Sequence, residues 1–203
     1  MEINKTLQSL FENCVSIDVE TTGLDPVRNG IISIGAVTFD GKEFYSENYL
    51  KGGAEINARA LEVNGETSEG ILKRNISGNY ISEEWSLLKL NRFVADHPAK
   101  PNVIIGKNPS FDYGFLWEIW KQMGNSEENF PFSYRKIDYS SLAIPLMLKE
   151  GFPVPSKGFS SSDIQNFLEL PEEPKPHNAL TGAKYNIMCL EKIMKEYNFL
   201  IKL

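Results

Sequence analysis

Ser16-Ile17-Asp18-Val19-Glu20-Thr21-Thr22-Gly23-Leu24-Asp25-Pro26 is the stretch on which the reading of this chain turns. From Val15 to Val19 apolar and polar residues alternate, the period of a strand. Residues two apart project from the same side of a strand, so Asp18 and Glu20 stand side by side, while Val15, Ile17 and Val19 take the opposite face. Two carboxylates this close repel unless one is protonated or a cation sits between them. An all-oxygen donor set suits a hard divalent ion such as Mg²⁺ or Mn²⁺. A solvated strand face running into a turn would carry the same pair, so the two acids alone do not decide.

Working outward, Ile31 to Phe39 is rich in strand formers, and Asp40-Gly41 is a hairpin turn into Phe44 to Leu50. Residues 57–64 read as a short helix ending at Asn64-Gly65. Ile81 to Ala95 has helical periodicity, with Ser82 as N-cap and Trp85, Leu88 and Phe93 as its apolar positions. Asn102 to Gly106 is a short buried strand, and Pro109 suits the first turn of the helix that follows, capped by Asn108. A strand near Lys136-Ile137-Asp138 precedes a helix from about Ser141 to Lys149. Gly151 to Gly158 reads as a loop, and Ser162 caps a helix to about Leu168. The Pro-rich residues 171–176 lead into a last helix over about 178–196. A hairpin followed by strand–helix alternation predicts one α/β domain spanning 1–203, a mixed sheet flanked by helices.

Composition narrows the class. With 41% hydrophobic and 24% charged residues the chain is of ordinary globular make-up, long enough at 203 residues to fold without a structural metal or disulfide. No apolar run approaches the ~18 residues of a membrane span, and Met1-Glu2-Ile3-Asn4-Lys5 lacks the layout of a secretory signal. Cys14 and Cys189, far apart in apolar segments, read as buried thiols rather than a disulfide, and the expected location is cytoplasmic. A formal net charge of −6 argues against a protein that coats long duplexes through many phosphate contacts. It leaves room for one that grips a few nucleotides at a strand end.

Two further segments carry chemistry. Asp112 lies in Gly106-Lys107-Asn108-Pro109-Ser110-Phe111-Asp112, in the first turn of a helix after a strand. The helix dipole alone favours an acid there. His177, in Pro176-His177-Asn178, stands at the mouth of the last helix, where an imidazole can act as a base near neutral pH or simply decorate the surface. His97, in Asp96-His97-Pro98, reads as a loop residue.

Taken together in order and spacing, these segments resemble the DEDDh family of 3′→5′ exonucleases, which holds polymerase proofreading subunits and ribonuclease T. Asp18-Val19-Glu20-Thr21-Thr22-Gly23-Leu24 matches the first motif of that family in full. Gly106 to Asp112 with Phe115-Leu116 matches the second, except that Lys107 stands where His is usual. Ile56 to Gly65 is similar to the segment that lines the pocket of the terminal nucleotide. The resemblance implies a ribonuclease H-like, five-stranded mixed sheet and two metal ions, Mg²⁺ or Mn²⁺, clamping the attacking water and the leaving oxygen. It implies Asp18, Glu20 and Asp112 as metal ligands and His177 as the base. Thr21, Thr22, Gly23, Leu24, Val63, Asn64 and Asn108 are implied as substrate-binding residues, with backbone groups around Thr21 and Thr22 meeting the 3′-hydroxyl. The partner implied is a single-stranded 3′ end, in the company of a polymerase or a second copy of the chain.

The third motif departs from the family. Five residues after the histidine, where an aspartate is expected, stands Gly182. A glycine there serves close packing, or marks a domain that binds 3′ ends or a partner without cutting, or leaves a gap filled by water or by Asp138 or Asp163. The expectation is reduced but detectable exonuclease activity.

Overall fold

The computed structural model describes residues 5–196; Met1 to Asn4, read above as no secretory signal, lie outside them. Five strands, β1 (Cys14–Thr21), β2 (Ile31–Thr38), β3 (Glu43–Glu47), β4 (Val103–Gly106) and β5 (Lys136–Asp138), form one sheet in the order β3-β2-β1-β4-β5. The β1–β2 and β2–β3 pairs are antiparallel, and β1–β4 and β4–β5 are parallel. The mixed five-stranded sheet expected from the sequence is therefore present, and β1 is its central strand.

Helices cover both faces: α1 (Lys5–Glu12), α2 (Ala58–Val63), α3 (Ser68–Ser77), α4 (Glu83–Ala95), α5 (Ser110–Gln122), α6 (Ser140–Lys149), α7 (Ser161–Phe167) and α8 (Ala179–Glu196). The odd residues Val15, Ile17 and Val19 of β1 pack into one apolar cluster with Leu87, Leu90 and Val94 of α4 and Phe115 and Leu116 of α5. The even residues face α8, where the Ser16 hydroxyl donates to the Ala183 carbonyl at 2.7 Å. Farther along α8, Cys189, Leu190 and Ile193 join Tyr139, Ala143, Met147 and Ile164 in a second cluster. Both cysteines are free and buried, as expected, and burial pushes the Cys14 thiol up to about 12 and the Cys189 thiol to about 11.

One contact sets where α8 begins. A β-carbon on Gly35 in β2 would lie 2.2 Å from the backbone carbon and oxygen of Ala179, so only glycine lets the first turn of α8 rest on the sheet. Asn178 caps that turn, its Oδ1 accepting from the N–H groups of Leu180 and Thr181.

The structure corrects several local expectations. On α4 the buried stripe is Leu87, Leu90 and Val94; Trp85 and Leu88 are exposed and Phe93 is half-buried, so the apolar phase is shifted. Ser82 does cap α4, accepting from the Trp85 N–H. Asn108 does not cap α5: it adopts a left-handed conformation (φ 51°), and Pro109 occupies the cap position without a side-chain bond. The cap of α7 is Ser160 rather than Ser162, in a reciprocal box with Asp163. Neither α1 nor α3 was anticipated; α3 carries a glycine in its first turn and buries only Ile71 and Arg74, which leaves little periodic signal.

Candidate active site

Asp18 and Glu20 stand on the central strand of the sheet. Every other residue of β1 is buried, and only Asp18 and Glu20 are half-open. They open into a cleft of about 330 Å³ at the C-terminal end of β1 and β4. A plain solvated strand face belongs at a sheet edge or an uncovered side, and β1 has neither.

Asp112 reaches the same cleft from the first turn of α5. Its Oδ1 accepts from the Val19 N–H at 3.0 Å, which ties α5 to β1 between the two strand acids. His177 lines the cleft from just before α8, with its side chain one-third exposed. The four catalytic candidates, from distant parts of the sequence, thus share one cavity. Asn108 lines it too, its N–H donating to Asp138 Oδ1 at 3.2 Å, as does Lys107.

A second cleft, of about 360 Å³, adjoins the first; Val19, Glu20, Leu24 and Phe111 line both. Thr21, Gly23, Leu24, Val63 and Asn64 lie here, with Arg59. Leu24 and Val63 are exposed, and the Asn64 amide donates to the Thr21 carbonyl at 3.0 Å. Phe111 packs on Phe115 with ring centroids 5.0 Å apart and also forms the wall between the clefts. Thr22, expected among the substrate-binding residues, lines neither cleft. It is fully buried; its hydroxyl donates to the Glu55 carbonyl and accepts from the Gly30 N–H. Its backbone N–H donates to Gly30 and its carbonyl accepts from Asn57, so Thr22 braces the turn and offers no group to a ligand.

The third motif holds the main surprise. A β-carbon on Gly182 would sit 2.4 Å from Asp18 Oδ2, so the Asp18 carboxylate occupies the space a side chain would fill. Neither anticipated substitute reaches the gap. Asp138 Oδ1 accepts from the Ser140 N–H and hydroxyl at the start of α6. Asp163 Oδ2 accepts from the Ser160 N–H and hydroxyl at the start of α7. The acid that does line the cleft is Glu173, from the Pro-rich segment before α8. Its Oε2 lies 3.7 Å from His177 Nδ1, and its Oε1 is buried without a hydrogen-bond partner. Sequence reasoning missed Glu173, whose only signal was an acid four residues before the histidine.

Acids crowd the cleft. Burial, then Asp112, Glu20 and Glu173, hold Asp18 well above the ordinary carboxylate range. Burial followed by Glu173 and Asp112 pushes Glu20 up to about 7. Burial also pushes Asp112 up to about 7, against the lowering effect of the Val19 N–H. Glu173 is raised by burial, with His177 opposing. Among the described residues no group of three or more His, Cys, Asp or Glu side chains already stands in metal-binding geometry. The chemistry of the candidate donors is nevertheless of the kind a hard divalent cation takes: they are all carboxylates, they repel one another, and one buried oxygen is orphaned.

The chain is similar to known proteins along much of its length. The chain is 31% identical over 159 residues to a PolC-type DNA polymerase III of Thermotoga petrophila, covering 75% of this chain and 10% of that polymerase. It is 28% identical over 127 residues to ribonuclease T of Buchnera aphidicola, covering 57% of this chain and 58% of that enzyme. It spans about a tenth of the length of the PolC relative. In fold it superposes on E. coli exonuclease I in complex with a dA16 oligonucleotide, with a TM-score of 0.69 at 14% identity, over 92% of this chain and 41% of the other. Residues 13–194 match the 3′-5′ exoribonuclease Rv2179c-like domain, and the chain belongs to that family of 3′→5′ exonuclease domains.

Proposed function

We propose that this domain is a metal-dependent 3′→5′ exonuclease that releases nucleoside monophosphates from single-stranded RNA or DNA ends. The carrying observation is the junction of two clefts: an acidic one holding Asp18, Glu20, Asp112 and His177, and an apolar one walled by Leu24, Val63 and Phe111. Asp18, Glu20 and Asp112 would hold Mg²⁺ or Mn²⁺, which when bound activates water and offsets charge on the phosphodiester. His177 takes the proton from the attacking water, a task suited to an imidazole near neutral pH. Leu24 and Val63, exposed at the mouth of the second cleft, cover the last base, and Asn64 holds the wall in place through the Thr21 carbonyl. Lys107 supplies a cation for the phosphate beside the acids. The net charge of −6 speaks against coating a long duplex and leaves room for a grip on a few nucleotides at a free end.

With no carboxylate at position 182, ion binding is weaker than in a site with every acid at its family position. Turnover is accordingly reduced, and Mn²⁺ is preferred over Mg²⁺. The test is a time course on single-stranded oligonucleotides labelled at either end, with Mn²⁺, Mg²⁺ or EDTA. Mononucleotides should leave from the 3′ end with metal and not with EDTA. If the protein releases no more of them than an Asp18→Asn variant, the reading fails. Gly182 favours a second reading, a domain that holds 3′ ends without cutting; it predicts a gel shift with no product. The buried free thiols suit a reducing, cytoplasmic setting, and among the described residues no helix is long and apolar enough to cross a membrane. The likeness to part of a PolC-type polymerase supports a polymerase as partner.

A further inference from the structure

We infer that Glu173 is the missing metal ligand, a carboxylate delivered by a loop in place of the one that Gly182 cannot supply. The inference rests on the metal-dependent reading above and adds to it a residue outside the family's motifs.

Gly182 leaves a space on α8, and Asp18 has partly filled it, its Oδ2 standing where a 182 β-carbon would be 2.4 Å away. Glu173 lines the cleft that Asp18, Glu20 and Asp112 open into. Its Oε1 is cut off from solvent and accepts no hydrogen bond, while its side chain is only 12% exposed. A buried carboxylate oxygen without a partner, among other carboxylates, destabilises the fold and has no packing rationale. A divalent cation removes that penalty.

The loop is built to hold the side chain there. The Glu173 N–H donates to Gln165 Oε1 at 3.3 Å, and Gln165, on α7, is 2% exposed. The Tyr185 hydroxyl on α8 donates to the Glu172 carbonyl at 3.0 Å. Two helices thus hold both ends of the peptide unit that leads into Glu173, with Gln165 as a positioning residue. A role confined to orienting His177 fits less well. The Oε2 to Nδ1 separation of 3.7 Å is too long for a hydrogen bond, and the orphaned oxygen is the other one.

The test is calorimetric titration of Mn²⁺ into metal-free protein, paired with melting temperatures in EDTA, for wild type, Glu173→Gln, Glu173→Asp and Asp18→Asn. Glu173→Gln should weaken Mn²⁺ binding by about tenfold or more. It should also raise the metal-free melting temperature by roughly 2–4 °C, because the uncompensated charge is gone. Glu173→Asp should recover part of the affinity. If Glu173→Gln binds Mn²⁺ like wild type while Asp18→Asn does not, Glu173 is no ligand although the metal site stands. A Glu173→Gln variant less stable than wild type in EDTA marks a structural residue and also overturns the assignment. If wild type itself binds no Mn²⁺, the metal-dependent reading fails and this inference with it.

Discussion

His177 and Gly182 lie five residues apart and test different parts of the chemistry. His177 lines the acidic cleft with one-third of its side chain exposed, placed as a proton acceptor rather than a ligand. His177→Ala should lower kcat by about 10²–10⁴-fold, the usual share of a general base, and leave Mn²⁺ affinity by calorimetry unchanged. Equal loss of both would make the imidazole a ligand instead. At Gly182 the obvious repair is predicted to fail. A side chain there meets Asp18 Oδ2 at 2.4 Å from its first carbon and would add one more buried acid to a cleft already rich in them. Gly182→Asp should therefore show no gain in turnover and a lower melting temperature in EDTA. A sharp rise in turnover would mean that the carboxylates rearrange freely and that position 182 alone limits the site.

β2 and α8 meet at Gly35, and that contact carries the histidine. Gly35→Ala places a methyl 2.2 Å from the Ala179 backbone, so the start of α8 has to lift. The expected cost is about 1–3 kcal/mol of stability, from overpacking against backbone that cannot rotate away. Activity should fall with it, because His177 is two residues upstream of the contact. Full activity after a clear loss of stability would uncouple the helix from the site. Elements with a strong period or a clear breaker were legible in the sequence: β1 from its alternation, the hairpin from Asp40-Gly41, α2 from Asn64-Gly65. The phase of α4 was not, since Trp85 and Leu88 look as apolar as Leu87 and Leu90, and only the position of the sheet decides which face is buried. That Asp18, Glu20, Asp112 and His177 belong together was legible because their motifs are local and ordered along the chain, and the structure brings all four to one cleft. Glu173 was not, because an acid between prolines becomes meaningful only when α7 and α8 fold around it. Thr22 was misplaced for the complementary reason: a motif residue can serve the turn that displays its neighbours.

As a whole molecule the chain holds an acid-rich cleft inside a net charge of −6, and its stability should depend on pH in a characteristic direction. Glu20 and Asp112 are pushed up to about 7, well above their unfolded values near 4, so between these limits the folded state binds more protons. Their contribution is fully present below about pH 4 and is lost as pH rises through about 7. Glu83, also raised to about 7 by burial and held on the Ile31 N–H away from the acidic cleft, acts in the same direction. In EDTA the melting temperature should fall from about pH 5 to about pH 8, and Mn²⁺ should restore the part due to the cleft but not the part due to Glu83. A melting temperature that is flat or rises over that range would contradict the buried-acid description. The claim beneath all of this is that acids from β1 and α5 converge to take a divalent cation beside His177. Its most direct test is a crystal grown with Mn²⁺ and a nucleoside monophosphate, read by anomalous diffraction. The account predicts manganese peaks in contact with Asp18, Glu20 and Asp112 and a base seated against Leu24 and Val63; a fully soaked crystal with no manganese between those carboxylates would contradict it.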